Sequence, residues 1–170
     1  MKMSHTVTVT RTTTTTTTSA IILNTGYLKT WPGLLKLAQL ILGIVVVGLV
    51  SYYYRDYYLG SHQIDQTPET FFLLMAVTFL IGTFTLLLSC LISISTASII
   101  SKTVYEVVYH GFAFILYLAA SLTLIIEVNY KKRNYGRDYE PYFAAAILGL
   151  VLSGLYILST VFAMRSYRGL

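Results

Sequence analysis

The stretch VVYHGFAFILYLAASLTLII, residues 107–126, decides the fold class of this chain. It holds twenty residues without a charge and is bounded by Glu106 and Glu127. An α-helix rises about 1.5 Å per residue, so a run of this length reaches across the roughly 30 Å hydrocarbon core of a bilayer. The stretch therefore predicts a membrane-spanning helix.

Three further uncharged stretches are long enough to span, at residues 37–54, 70–101 and 141–164. The first can begin as early as Gly33, and Pro141 is well placed to open the last helix. The sequence therefore predicts an all-α membrane protein, a four-transmembrane-helix antiparallel bundle with spans at about 33–54, 71–97, 105–128 and 141–164.

The composition excludes an ordinary soluble domain. Only 11% of the 170 residues are charged and 55% are hydrophobic, whereas soluble domains carry about 25% charged residues. With 14% aromatic residues, disorder does not explain this composition either. Lipid is the expected solvent for most of the chain.

The remaining residues form tails and short loops. We expect a disordered, Thr-rich cytosolic tail at residues 1–30, a four-span domain at 31–165 and a short cytosolic tail at 166–170. Residues 6–18 include ten threonines. This tract is a candidate for phosphorylation if it is cytosolic, whereas mucin-like glycosylation would require the opposite topology.

Four spans place both termini on one side of the membrane. If that side is cytosolic, it carries seven Lys and Arg residues, and the opposite side carries five. Cytosolic loops carry the excess of positive charge in membrane proteins. The count therefore favours cytosolic N- and C-termini.

Polar residues at the start of spans one and three need partners. Lys36 lies about one turn into the first span with Gln39 on the same face, and Glu106 opens the third span. Because both spans run in the same direction, we predict an interhelical ion pair between Lys36 and Glu106, or a contact through Gln39. The alternative is that Lys36 snorkels and Glu106 only caps a helix N-terminus.

Two further intramembrane polar candidates lie on span three. His110 follows Glu106 by four residues and shares its helical face, and it is interpreted as a structural histidine because a proton relay would need deeper acids. Glu127 stands at the far end, four residues before Lys131, and this spacing suits a pairing at the interface.

Two short patterns concern packing and sorting. Ala145, Gly149 and Ser153 form a small-xxx-small ridge in span four, typical of close helix packing within one molecule or between molecules. Tyr167 and Leu170 match a tyrosine-based sorting pattern at the C-terminal end.

Residues for chemistry are lacking in the sequence. It has no phosphate-binding loop, no dinucleotide-binding turn and no catalytic or metal-ligating constellation, so we expect no enzyme activity, no cofactor and no metal. Cys90 is the only cysteine, which excludes an intrachain disulfide. The basic residues lie between apolar blocks, so a nucleic-acid partner is not expected.

Three segments resemble the MARVEL-domain family, of the type of plasmolipin, the myelin-and-lymphocyte protein and the chemokine-like-factor relatives. They are residues 32–43 (PGLLKLAQLILG), 105–121 (YEVVYHGFAFILYLAAS) and 144–156. Their order and spacing carry the resemblance, which covers about residues 30–168. It implies cytosolic termini and roles in vesicle trafficking, cholesterol-rich membrane microdomains (lipid rafts), membrane apposition or fusion, and cell junctions.

The sequence thus predicts a non-enzymatic multi-pass membrane protein of the plasma membrane or of endosomal and Golgi vesicles. Its expected partners are membrane lipids, in particular cholesterol-rich ones, other membrane proteins and further copies of itself. Two alternatives stay open, a small channel or transporter subunit and a cargo or sorting receptor.

Overall fold

The computed structural model describes residues 24–59, 67–130 and 139–169, and these are helical over most of their length. Within these ranges, a short 3₁₀ helix, Thr25–Lys29, precedes five α-helices. These are α1 (Trp31–Leu59), α2 (Thr67–Ile92), α3 (Ile94–Ile100), α4 (Val104–Tyr130) and α5 (Tyr139–Arg168). All of them except α3 are long and apolar enough to cross a membrane, so the predicted four-span helical fold is confirmed.

The four long helices form a closed ring. α1 packs on α2 and α5, and α4 packs on α2 and most extensively on α5. The order around the ring is therefore α1, α2, α4, α5, and every neighbouring pair is antiparallel. α1 and α4 lie on one diagonal and run in the same direction. The start of α1, α3, the start of α4 and the end of α5 consequently share one end of the bundle, called here the terminal end.

The interior and the exterior of the ring differ in the kinds of side chain that they contain. Small residues and aromatic rings fill the core, including Ala76, Ala113, Ala120, Phe72 and Tyr117. The outside carries exposed large apolar residues along every long helix, such as Ile44, Ile81, Ile115 and Val151. Soluble monomers rarely expose so much apolar surface, whereas a bilayer solvates it.

The second span is interrupted earlier than expected. We predicted that it reaches residue 97, but α2 ends at Ile92 and Ser93 adopts an extended backbone, with φ −140° and ψ 120°. The Ser93 side chain accepts a hydrogen bond from the Thr96 amide and so caps α3. Serine competes for backbone groups in this way at helix starts, so the break follows from its side chain.

Part of the predicted disordered tail is folded. Residues 25–29 form the 3₁₀ helix, so the prediction of disorder up to residue 30 is wrong for this segment. The backbone N–H of Asn24 donates to the backbone carbonyl of Leu91 at 2.7 Å. This bond satisfies one of the carbonyl oxygens that the end of α2 leaves without a helical partner. A Cβ at Gly33 would collide with the Tyr27 carbonyl, so the segment docks where α1 has no side chain. The Thr-rich tract, residues 6–18, lies outside the described residues.

The helix ends extend beyond the predicted spans. α1 continues to Leu59, α2 begins at Thr67, and α5 runs from Tyr139 to Arg168 instead of 141–164. Pro141 is accommodated because it lies in the first turn, where its missing amide has no helical partner to lose. The lysines and arginines counted at residues 131–137 lie outside the described residues.

Candidate functional site

The terminal end of the bundle contains a buried ion pair between two helices. Lys36 lies in the second turn of α1, and Glu106 lies in the first turn of α4. α1 and α4 run in the same direction, so the two side chains reach the same depth, and Lys36 Nζ contacts Glu106 Oε1. Both side chains are almost fully buried. The two opposite charges neutralise each other, and this avoids the cost of several kcal/mol that an unpaired charge would have in such a buried site.

Tyr27 adds a second acceptor for the same ammonium group. Lys36 Nζ donates to Tyr27 Oη at 2.9 Å and lies 5.6 Å from the centre of the ring. Tyr27 belongs to the 3₁₀ helix, and burial raises the pKa of its phenol, with the nearby Cys90 and Glu106 acting in the same direction. This partner was not predicted, because residues 1–30 were expected to form a disordered tail.

His110 lies beside the ion pair, on the face of α4 that its spacing predicted. Its Nε2 is 3.7 Å from Glu106 Oε1, which is too long for a direct hydrogen bond. The ring packs against Tyr109 and Tyr156, with centroids 5.1 and 5.9 Å away. Neither ring nitrogen has a hydrogen-bond partner among the residues that the structure describes. This environment supports the interpretation of a structural histidine packed among rings.

Gln39 connects α1 to α5 and does not join the ion pair. Its Nε2 donates to the Leu155 carbonyl at 3.1 Å and to Ser159 Oγ at 2.8 Å. Gln39 therefore does not mediate a contact between Lys36 and Glu106, which was the alternative to a direct ion pair. One turn of α1 thus binds two different helices, α4 through Lys36 and α5 through Gln39.

A group of hydroxyls lies deeper in the bundle than the ion pair. It joins α2 to α5, the helices on the other diagonal of the ring. Thr83 Oγ1 of α2 is hydrogen-bonded to Tyr156 Oη of α5 at 2.7 Å and to Tyr109 Oη of α4 at 2.9 Å. Tyr109 Oη also lies 3.1 Å from the Phe79 carbonyl, to which it donates. The sequence reasoning missed this cluster. The available signal was a tyrosine in the middle of a span, where no interfacial role can explain it.

The small-residue ridge of α5 faces α4 inside the molecule. Ala145 is fully buried, and Ser153 Oγ donates to the Phe114 carbonyl at 3.3 Å. A Cβ at Gly149 would collide with Ser121 Oγ and lie 2.7 Å from Phe72 Cε2. The ridge is therefore used for packing within one chain.

The remaining predicted residues lie away from this site. Glu127 is partly buried at the opposite end of α4, and its expected partner Lys131 lies outside the described residues. Tyr167 is half exposed in the last turn of α5, and Leu170 lies outside the described residues. Glu69, which precedes the predicted second span at 71–97, is buried in the first turn of α2.

A cavity of about 350 Å³ opens at the terminal end, above the ion pair. Its walls come from the 3₁₀ helix, α1, α3, α4 and α5, and both Lys36 and Glu106 contribute to its lining. Ligand sites in proteins begin at about this size. Because α3 forms one wall, the cavity depends on the break at Ser93.

Comparison with known proteins places the chain in a family. The sequence model of the MARVEL family, described as a membrane-associating domain, matches residues 27–162. This match begins at Tyr27 of the 3₁₀ helix, includes the first three spans and ends within the fourth. No curated protein and no solved structure matches the chain significantly.

Proposed function

We propose, from the premise that this chain belongs to the MARVEL family of membrane-associating domains, that it is a non-enzymatic organiser of membranes. It gathers lipids and membrane proteins into microdomains and serves vesicle trafficking, membrane apposition or fusion, or cell junctions. Its working surface is the outside of the bundle. The proposal starts from the finding that the chain is a multi-pass membrane protein with a membrane-associating domain.

The contrast between a closed interior and an apolar exterior carries the proposal. Phe79, Tyr117 and Tyr156 pack against one another in the core, with centroid distances of 5.6 to 6.0 Å. These buried rings occupy the place where a channel would need a polar path. The exterior is therefore the surface on which partners and lipids are selected, through helix faces that present Ile44, Ile81 and Val151.

The buried polar contacts act by holding the helices in one arrangement. The Lys36–Glu106 pair joins α1 to α4 across one diagonal, and Thr83 with Tyr156 joins α2 to α5 across the other. A ring of antiparallel helices is otherwise held by non-directional packing, which tolerates sliding. Fixed helix positions give the outer surface a constant shape for lateral association with other proteins or with further copies of the chain.

The exposed charges of the terminal end support cytosolic termini. Lys29, Lys102, Arg165 and Arg168 are all exposed there. Among the described residues of this end, at 24–36, 94–106 and 159–169, Glu106 is the sole acid and is already paired. By the positive-inside rule this excess of positive charge favours the cytosolic side for this end. The membranes that we propose are the plasma membrane and endosomal and Golgi vesicles.

Proximity labelling in the native cell tests the proposal. A labelling enzyme fused to the C-terminus should mark cytosolic and membrane proteins of one trafficking or junctional compartment. A matched fusion to an unrelated four-span protein of the same membrane controls for abundance. Labelling of lumenal proteins would contradict the topology. Selective ion or solute flux through the purified protein in liposomes would replace the organiser with a channel.

Sorting is a second candidate function, favoured by the exposure of Tyr167 at the end of α5. A tyrosine read by cytosolic adaptors has to be accessible on that side. Tyr167→Ala should raise the fraction of protein at the cell surface if the pattern is used, with Tyr105→Ala, another exposed tyrosine of the terminal end, as the control. Equal surface residence of both variants would dismiss a sorting signal at Tyr167.

A further inference from the structure

The cavity at the terminal end combines hydroxyl groups, one buried ammonium group and a basic rim. We propose that it binds the headgroup of an anionic phospholipid of the phosphatidylinositol type, a phosphodiester that carries a hydroxylated ring. This inference deepens the proposed function and rests on its topology, since anionic lipids are concentrated in the cytoplasmic leaflet.

The walls of the cavity offer both hydrogen-bond acceptors and donors to a ligand. Besides Tyr27, whose hydroxyl is bonded to Lys36, six lining side chains carry a hydroxyl or an amide: Asn24, Thr30, Ser98, Ser101, Ser159 and Ser166. Three of the hydroxyls already donate their proton to a backbone carbonyl at 2.7 to 3.1 Å, those of Thr30, Ser98 and Ser101. What remains on them are oxygen lone pairs. Ser159 Oγ accepts from Gln39 Nε2 and keeps its own O–H as a donor, as the Asn24 amide keeps its N–H groups. A hydroxylated ring suits these walls because each of its hydroxyls both donates and accepts.

Lys36 supplies a donor at the base of the cavity. An ammonium group has three N–H donors, and the structure shows two partners for Lys36, Glu106 Oε1 and Tyr27 Oη. The residue is 1% exposed and still lines the cavity. Its third N–H is therefore placed for an oxygen of the ligand, while Glu106 balances its charge.

The negative charge of the ligand is matched at the rim. Lys29, Lys102 and Arg165 are exposed, and each is the chain neighbour of a lining residue, Thr30, Ser101 or Ser166. Each cation near a membrane surface strengthens the binding of anionic lipid by about fivefold. The rim accounts for attraction to any anionic lipid, and the walls account for the choice of a hydroxylated headgroup.

The apolar part of the lining suits a lipid better than a soluble phosphate. Pro32, Phe162 and Ala163 form this part of the wall. Trp31, next to Pro32, is 71% exposed and is the only tryptophan of the chain. A headgroup in the cavity would leave its glycerol and acyl chains along this side, within the layer that tryptophan prefers.

Trp31 also gives a direct readout for a binding experiment. The full-length protein is placed in phosphatidylcholine nanodiscs that contain the same small fraction of brominated phosphatidylinositol or brominated phosphatidylserine. Both lipids carry one net negative charge, so electrostatic attraction alone quenches Trp31 equally. We expect phosphatidylinositol to quench with about tenfold higher apparent affinity, the worth of one or two hydrogen bonds. Equal quenching by the two lipids would overturn the proposal.

Variants separate the walls from the rim. Ala97→Leu fills the cavity from α3 and should abolish the preference for phosphatidylinositol, as should Ser98→Leu, which tests the same wall if the first variant folds poorly. Ala119→Leu, the same change at an exposed position of α4, should keep the preference. Lys102→Gln should weaken both lipids by about fivefold. A preference that survives both cavity-filling changes in folded protein would refute the site.

A competition arm distinguishes the lipid from its soluble headgroup. Unlabelled phosphatidylinositol should reverse the quenching, and water-soluble inositol phosphate at the same concentration should not. Equal competition by both would overturn a lipid as the occupant. The nanodisc assay involves no cellular partner, so its failure leaves the proximity-labelling result standing, and a failed proximity experiment leaves the measured lipid affinities unchanged.

Discussion

At the scale of single residues, Glu106 has two electrostatic partners at once. Its carboxylate lies in the first turn of α4, where the helix dipole favours a negative charge, and it contacts the ammonium group of Lys36. The same carboxylate therefore lies in the favourable field of the α4 dipole and in the ion pair with Lys36. Because burial of both charges is costly, the pair adds little net stability, and its main effect is to fix the position of α1 relative to α4.

Removal of one charge separates these two contributions. Glu106→Gln leaves Lys36 charged and buried without an anion, and we expect a loss of about 3–5 kcal/mol in the free energy of unfolding. Glu140→Gln is the matched control, since Glu140 also lies in a first helical turn but is exposed. Its loss should stay below about 1 kcal/mol. Thermal unfolding in detergent, followed by circular dichroism, measures both.

Replacement of both charged partners completes this test. The double variant Lys36→Met with Glu106→Leu has no buried charge and should recover most of the stability lost in Glu106→Gln. Equal, small losses in Glu106→Gln and Glu140→Gln would show that Glu106 acts only as a helix cap. In that case the double variant would gain nothing over the single one.

Tyr27 predicts a pH dependence of stability. Burial raises the pKa of its phenol above the ordinary value of 10.0, so above about pH 10 the unfolded chain releases this proton before the folded chain does. The folded state then binds more protons, and the free energy of unfolding falls as the pH rises. Tyr27→Phe should be less stable near neutral pH, by about 1–2 kcal/mol for the lost bond to Lys36, and should decline less between about pH 9 and 11.

Tyr130→Phe serves as the control for this measurement, because Tyr130 is 87% exposed at the opposite end of α4. Its melting temperature should follow that of the unmodified protein at every pH. A parallel decline of Tyr27→Phe and the unmodified protein through the alkaline range would contradict a contribution from Tyr27.

At the scale of the helices, Gly149 sets the distance between α4 and α5. Gly149→Ala forces Ser121 and the Phe72 ring to move, and such overpacking costs about 1–3 kcal/mol. Gly154→Ala on the same helix meets nothing within 4 Å and should stabilise by about 0.5–1 kcal/mol, since alanine favours a helix over glycine. The free energy of unfolding, measured in detergent, should therefore fall in Gly149→Ala and rise in Gly154→Ala. Losses of the same size in both would contradict close packing at Gly149.

The sequence predicts the centres of these helices better than their ends. The thickness of a bilayer requires a charge-free run of about twenty residues. Charged residues such as Lys36, Glu106 and Glu127 mark the ends of these runs and so locate the four spans. The ends depend on local hydrogen bonds that hydropathy does not contain. Ser93 ends α2 through its own side chain, and the 3₁₀ helix exists because it packs against Gly33 and Leu91.

At the scale of the whole molecule, one of the two buried polar clusters could be predicted from the sequence and the other could not. The contact between Lys36 and Glu106 was predictable, because charges at equal depth on helices of the same direction have few other partners. The cluster of Thr83, Tyr109 and Tyr156 was not. Hydroxyl side chains are tolerated in a span through bonds to their own backbone, so only the ring order of the helices shows that these three meet.

The ring order itself makes a testable statement about the membrane. The terminal end holds α3, and the opposite end holds Tyr130, so single cysteines at Ser98 and Tyr130 should lie on different sides. Cys90 is the only native cysteine and is 1% exposed, so its background labelling should be low. With cytosolic termini, an impermeant maleimide should label Tyr130→Cys in the protein that reaches the surface of intact cells, and Ser98→Cys only after permeabilisation. The reverse pattern would invert the topology, and labelling of both in intact cells would contradict four spans.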